Sequence, residues 1–427
     1  MAIAAAAPTN PLALRGQVLT PRDAGGILHH RDGLVLADAT GKLTYVGPYR
    51  AGRKRYKGPV RDLRESVLLP GFVDAHLQYP QTRIIGQATG PLLDWLAASV
   101  FPEEARFARG PYAHQIAHEM IDRMLGAGTT TAAIFSSSST RATDVLFEAL
   151  ATRGMRAVAG MSLMDMRTPK ALLVRRQAAM AGYERLLKKW HGHDGRLELA
   201  MTPRFALSCS RALLQEAGDF AREHGLVVQT HVGETKKEGE LTLEAHRYAE
   251  HYVGVYDAAG LLGPRTILAH AIHLTKREWD CVGERGASVA HCPDSNFFLG
   301  SGRMRLTPAR RRRIHVALGS DVAAGRSFSM RRAMASAYDN AMCLKRPVGL
   351  GDLFAMATLG GARALGWGDR IGSLEEGKEA DVVAFDLPSH LRTVDELLAT
   401  LVFDGDDVSA KAAWVKGRRL ALAGEMA

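Results

Sequence analysis

The chain has 427 residues, 46% hydrophobic and 23% charged, the composition of a globular enzyme, which excludes a disordered or fibrous protein. Its net charge of +10 comes from scattered arginines with one dense run, Arg310 to Arg313, which lacks interleaved aromatics and any nucleic-acid motif and therefore reads as solvated surface, not a nucleic-acid site. Cys209, Cys281, Cys292 and Cys343 contain no Cys-x-x-Cys pair, which argues against a disulfide framework or thiolate zinc site, and no stretch of about 18 uncharged apolar residues offers a membrane span.

The start, Met1 to Ala7, lacks a basic n-region and is interrupted at Pro8, so no leader is expected and the protein is placed in the cytoplasm. From Ala13 to about Ser66 the segments RGQVLT, DGLVLAD and LTYVG alternate apolar and polar residues between Gly, Asp and Pro, as half-buried antiparallel strands do. Near the other end DVVAFDL and AAWVKGRRLALAG repeat that style. The two ends are therefore expected to build one β-sandwich, from residues 1–66 and 373–427, around a central unit at 67–372.

Within 67–372 the pattern changes to strand, loop, helix. Helices are predicted over Tyr112–Ala127, Pro169–Trp190, Ser210–His224 and Arg331–Met342. Strands are predicted at Ala157–Met161, Leu197–Met201, Leu226–Thr230, Thr266–Ala269, Ala287–His291 and Val316–Gly319. Strands alternating with helices imply a parallel sheet, and about eight such units close into an α/β (β/α)8 TIM barrel. Its chemistry then belongs at strand C-terminal ends, where His231, His270 and Asp321 fall.

The most telling strand is PGFVDAHLQYPQ, Pro70 to Gln81. Strict alternation sets Phe72, Asp74, His76 and Gln78 on one face and apolar Val73, Ala75 and Leu77 on the other. A buried run of Asp, His and Gln is unfavourable unless something binds it, and a metal ion would.

PGFVDAHLQ resembles the first-strand motif of the amidohydrolase superfamily, in which His-x-His holds a catalytic metal; here His76 is present and Gln78 replaces the second histidine. YPQTRIIG, PLLDWL and FPEEARF narrow the resemblance to the guanine deaminase branch. TPRFALS, THVGE, LAHAIHL, HCPDSNFFLGSG, GSDVAAG and GSLEEGKEADVVAFD follow in the family's order, so the resemblance runs nearly end to end.

It implies the same barrel and composite sandwich, one divalent metal ion, Zn²⁺ or Fe²⁺, and a homodimer. His76, His231 and Asp321 are expected to hold the metal, with Gln78 a weak fourth ligand or a polar wall, since an amide oxygen is a poorer zinc donor than imidazole. Asp321 would take the water's proton, Glu234 would protonate the ring nitrogen, and His270 would steady the tetrahedral intermediate. Gln81, Arg204 and Phe205 are expected to contact a purine-like substrate, the phenyl ring by stacking and the others at the ring edge. Asp74 is expected to support His76, while His273 and His291 read as structural. The implied reaction is guanine to xanthine plus ammonia. The alternatives are a hydrolase of another ring, such as a pterin or triazine, and a catalytically impaired purine-binding homologue.

Overall fold

The computed structural model describes residues 11–87, 90–388, 390–404 and 408–425. Residues 1–7, read above for a leader, lie outside that range. The first strands, β1 (Leu12–Pro21), β2 (Ile27–Ala37), β3 (Leu43–Pro48) and β4 (Arg61–Pro70), turn Leu14, Val18, Val35, Leu43 and Leu68 into one apolar cluster. β1 pairs antiparallel with β2 and parallel with β4. β4 spans Ser66, so the boundary expected there falls inside a strand, and one residue, Gly71, separates it from the barrel.

The barrel strands are β5 (Phe72–Gln78), β6 (Thr129–Phe135), β7 (Arg156–Gly160), the short β8 (Ser162–Leu163), β9 (Leu197–Pro203), β10 (Val227–Val232), β11 (Thr266–His270), β12 (Ser288–His291) and β13 (Val316–Leu318). Apart from β8, which pairs only with β9, they run as eight parallel neighbours from β5 to β13. The ends of that path meet where the Asp321 N–H donates to the His76 carbonyl at 2.9 Å, giving the expected (β/α)8 barrel. Outward residues such as Ile134, Leu199, Leu268 and Val289 pack with helix residues Ile116, Met120, Leu146 and Leu214. The inward set, Ala133, Val158, Ala200, Val227, Ile267, Ala290 and Ala317, is mostly small, which lets a narrow interior close without voids.

β5 departs from strict alternation. Asp74 lies opposite Ala132 and Leu77 opposite Ile134, so Ala75 and His76 together face a single residue of β6, a β-bulge. Below it Val73 and Ala75 join the small inward cluster, while Phe72 turns outward to stack near Phe354 and Phe385. Above it His76 takes the inward position. The assignment of Phe72 to the polar face is thus corrected: the extra residue reverses the order of faces.

Helices occupy Gly110–Gly126, Arg176–Trp190, Arg211–Glu223 and Met330–Cys343. The helix predicted from Pro169 begins seven residues later because Leu172 closes a turn on Pro169 and the Val174 N–H bonds back to Met164. After the barrel, β14 (Val382–Asp386), β15 (Ala412–Val415) and β16 (Arg418–Leu420) complete the terminal sheet in the order β16-β15-β14-β4-β1-β2-β3. The sandwich expected from both ends is therefore one continuously hydrogen-bonded sheet. It curls enough that a Cβ on Gly41 would lie 2.1 Å from the Lys416 carbonyl oxygen. A helix over Val394–Phe403, unread in the sequence, buries Leu397, Leu398 and Leu401 beside Met334 and Phe354. Its capping box, Thr393 with Glu396, was the available signal.

Sheet and barrel are joined by Arg156 at the foot of β7. Its Nε donates to Asp381 Oδ2 at 2.9 Å, and Nη2 reaches Glu379 at 2.5 Å. Nη1 donates to the Gly195 carbonyl at 3.2 Å. The Arg310–Arg313 run lies at the surface, where Arg310 pairs with Asp352 and Arg312 with Asp280. Among the described residues no helix is long and apolar enough to cross a membrane.

Candidate active site

The mouth of the barrel gathers His76 from β5, His231 from β10, His270 at the end of β11 and Asp321 just beyond β13. All are buried, and Gln78, Arg204, Phe205 and Glu234 line the same pocket with His231, His270 and Asp321. His76 Nε2 stands 3.2 Å from Asp321 Oδ1, and His270 Nε2 lies 3.5 Å from Glu234 Oε2 and 3.7 Å from Asp321 Oδ2. The imidazole of His231 sits 4.7 Å from that of His76, centroid to centroid, and 5.5 Å from that of His270. His270 and Asp321 both take left-handed backbone, φ 72° and 49°, which is sparsely populated for such residues and recurs where a site over-determines its geometry.

Each group is aimed by a neighbour. The His270 Nδ1–H donates to Asn296 Oδ1 at 2.9 Å, leaving Nε2 toward the two carboxylates. The Ser301 hydroxyl donates to Glu234 at 3.1 Å. The His231 Nδ1–H donates to the Arg204 carbonyl at 2.6 Å. Asp74 accepts from the backbone N–H groups of His76, 3.1 Å, and Ser320, 3.0 Å, so it fixes β5 to the loop carrying Asp321 and does not touch the His76 ring.

Burial dominates the ionisation of the site. It pushes the Asp74 carboxyl up to about 7, against its two backbone hydrogen bonds, and raises Glu234 although His270 opposes. Burial also disfavours a charged Asp321, but the neighbouring His76, with His270 and His231, outweighs it and holds that carboxylate well below its ordinary range. His270 is raised because Glu234 and Asp321 overcome its burial, whereas burial lowers His231, aided by His76 and His270.

A divalent cation fits this donor set. Among the described residues His76 Nε2 and His270 Nε2 are buried with no hydrogen-bond partner, an arrangement that costs free energy unless a bound group meets them, a cation at the His76 lone pair and a ligand atom at His270. One donor atom from each of His76, His270, Cys292 and Asp321 lies within 4.8 Å of all the others. Cys292 is no thiolate, since burial keeps its thiol well above the ordinary value, and its Sγ points to the Ala290 carbonyl. His231 and Gln78 stand beside this cluster bonded to one another, Nε2 to Nε2, at 3.1 Å.

Of the expected substrate contacts, Arg204 and Phe205 line the pocket. Gln81 is completely buried behind Gln78, with its Nε2 on Gln78 Oε1 at 2.7 Å and its Oε1 on the Ala323 N–H at 3.1 Å. Three residues were not foreseen, one buried behind the wall and two in it. Glu104 grips Arg204 with both carboxylate oxygens at 2.5 and 2.6 Å. Glu238 lies inside the pocket with its carboxyl pushed up to about 8 by burial. Trp95 lines the same space and its indole N–H finds no protein partner. Glu104 and Trp95 belong to the FPEEARF and PLLDWL segments, so their presence was visible while their destination was not. His273 Nε2–H donates to the Ser301 carbonyl, and His291 is buried and held neutral, its value lowered to about 3 by burial and His270.

The sequence profile of the amidohydrolase family matches residues 67–420, that is, the barrel together with the β14 to β16 part of the terminal sheet. The chain belongs to this family. Guanine deaminase of Escherichia coli (strain K12) is 35% identical to this amidohydrolase over 402 residues, covering 91% of the chain and 90% of its own length. Human guanine deaminase is 31% identical over 418 residues, covering 91% and 92%. The solved E. coli enzyme superposes with a TM-score of 0.93 at 33% identity, covering 96% of this chain and all of its own. Guanine deaminase from C. acetobutylicum, solved with guanine in its active site, gives 0.91 at 28% identity over 96% of this chain.

Proposed function

We propose that this amidohydrolase is a metal-dependent guanine deaminase, converting guanine and water to xanthine and ammonia. The observation that carries it is the orphaned His76 nitrogen beside Asp321, with His270 between Asp321 and an acid, Glu234, in a chain similar to guanine deaminases over most of its length. His76, Asp321 and His231 would hold the ion, donors that suit Zn²⁺ and Fe²⁺ alike, with Zn²⁺ favoured by the general order of affinities. When bound, Zn²⁺ lowers the pKa of its water to about 7 and so supplies a nucleophile at neutral pH.

The chain's own groups do the rest. Asp321, ionised in the site, accepts the proton of the attacking water. Glu234, raised by burial, retains a proton nearer neutrality than an exposed glutamate and delivers it to the ring nitrogen. His270, raised between two carboxylates, donates through Nε2 to the oxygen of the tetrahedral intermediate. Protons then return through Glu234 to the departing ammonia. Phe205 stacks on the purine face, and Arg204, locked by Glu104, presents its remaining N–H to the ring edge, while Gln81 acts through Gln78.

The test is metal analysis of the purified protein together with ammonia release from guanine. About one divalent ion per chain and guanine-dependent ammonia, abolished by a chelator and restored by Zn²⁺, are expected. Bound metal without release from guanine would transfer the activity to another ring, and a protein that takes up no metal would end the hydrolytic reading.

A further inference from the structure

We propose that Gln78, which stands where the second histidine of the family's motif would be, is a competitor of the metal and not its ligand: its amide N–H occupies the His231 nitrogen that the metal needs. This rests on the reading above that the site takes a divalent cation.

The orientation of the amide is fixed twice over. Its oxygen receives Nη2 of Arg204 at 3.3 Å and Nε2 of Gln81 at 2.7 Å. A guanidinium has donors only, so the atom facing Arg204 must be an acceptor. Gln81 cannot be turned either, because its own oxygen accepts the Ala323 N–H, which leaves its nitrogen toward Gln78. Reversing the Gln78 amide would set its two N–H groups against two further donors. The Gln78 oxygen thus points away from His231, and its nitrogen lies 3.1 Å from His231 Nε2.

His231 completes the argument. Its Nδ1 faces a carbonyl and must carry the proton, and its Nε2 faces the Gln78 N–H, so Nε2 holds the lone pair. That lone pair accepts from Gln78. A chain of hydrogen bonds therefore runs from Glu104 through Arg204 and Gln78 to His231, and holds the imidazole closed to the cation. For His231 to ligate, one net hydrogen bond must be surrendered, while His76 Nε2 and His270 Nε2 have no such bond to lose among the described residues.

The probe is Zn²⁺ alone, titrated against a chromophoric chelator into the full chain after metal stripping, for the wild type, Gln78→Leu and Gln78→Ala. An apolar side chain cannot ligate and cannot cap His231. Both variants are expected to bind Zn²⁺ about fivefold more tightly than wild type, the worth of one net hydrogen bond. Equal or weaker binding overturns the proposal, since loss of a ligand lowers affinity and loss of a competitor raises it.

A wild-type measurement guards against variants that do not fold. The Gln78 side-chain amide protons should be protected from exchange in the stripped protein and lose that protection when Zn²⁺ is added; protection unchanged by bound Zn²⁺ overturns it. Failure of wild type and both variants to bind Zn²⁺ would remove the hydrolytic function and this inference together, whereas weaker binding by Gln78→Leu removes this inference alone.

Discussion

The floor and the mouth of the barrel both bury charge, and they do so in opposite ways. At the floor the Arg156 guanidinium meets Asp381, Glu379 and the Gly195 carbonyl, with the Trp367 ring 5.5 Å below it. Every bond is made, and nothing is left for a ligand. At the mouth His76 Nε2 and His270 Nε2 have no hydrogen-bond partner among the described residues, and Glu234 and Asp321 stand 3.5 and 3.7 Å from His270, longer than good hydrogen bonds. A satisfied cluster reports on structure, and an unsatisfied one reports on function.

Asp321→Asn should separate the two most sharply. Ammonia release from guanine is expected to fall by about 10³-fold or more, the scale of a lost general base, while thermal unfolding stays near wild type. A variant that keeps its activity would take Asp321 out of the chemistry. At the floor Arg156→Met should do the reverse. It strands buried carboxylates and is expected to cost about 3–5 kcal/mol in denaturant unfolding, with the kcat of the folded fraction unchanged.

That second variant also carries a pH signature. Burial favours neutral Glu379, but Arg156 and Arg370 outweigh it and hold the carboxyl below its ordinary value of 4.5. The stability this contributes is complete above the unfolded value and is lost as pH falls through the lower folded one. The gap between wild type and Arg156→Met should therefore narrow on acidification below about pH 5. A gap independent of pH would show that packing, not charge, is what Arg156 provides.

Glu104→Gln weakens the clamp on Arg204 without emptying the space. A rise of about tenfold in KM for guanine is expected, with a smaller change in kcat, as for loss of one charge-assisted hydrogen bond. The smallest effect belongs to a pair outside both regions: Arg15 with Asp32 is part-exposed at the sheet surface, and Asp32→Asn should shift stability by less than about 1 kcal/mol.

Much of this was legible in the chain. The strand-then-helix rhythm gave the barrel, and the polar ends of LVVQTH, TILAH and VALGS placed His231, His270 and Asp321 at its mouth. Three things were not legible. The bulge in β5 needs one extra residue against β6, and nothing within FVDAHLQ marks where it falls. Glu104 reaches Arg204 across 100 residues, and Glu238 enters the pocket from a short helix, Lys236–Ala245, in whose local sequence nothing singles it out from Glu240 and Glu244.

The sequence alone thus determined which residue types end each strand, because burial periodicity is local and repeats with the fold. It also determined that Gln78 stands where a histidine would serve. Only the tertiary structure decided which way that amide faces, because its direction depends on donors from Arg204 and Gln81 and on a carbonyl that fixes the His231 ring, contacts that exist only once distant strands are side by side.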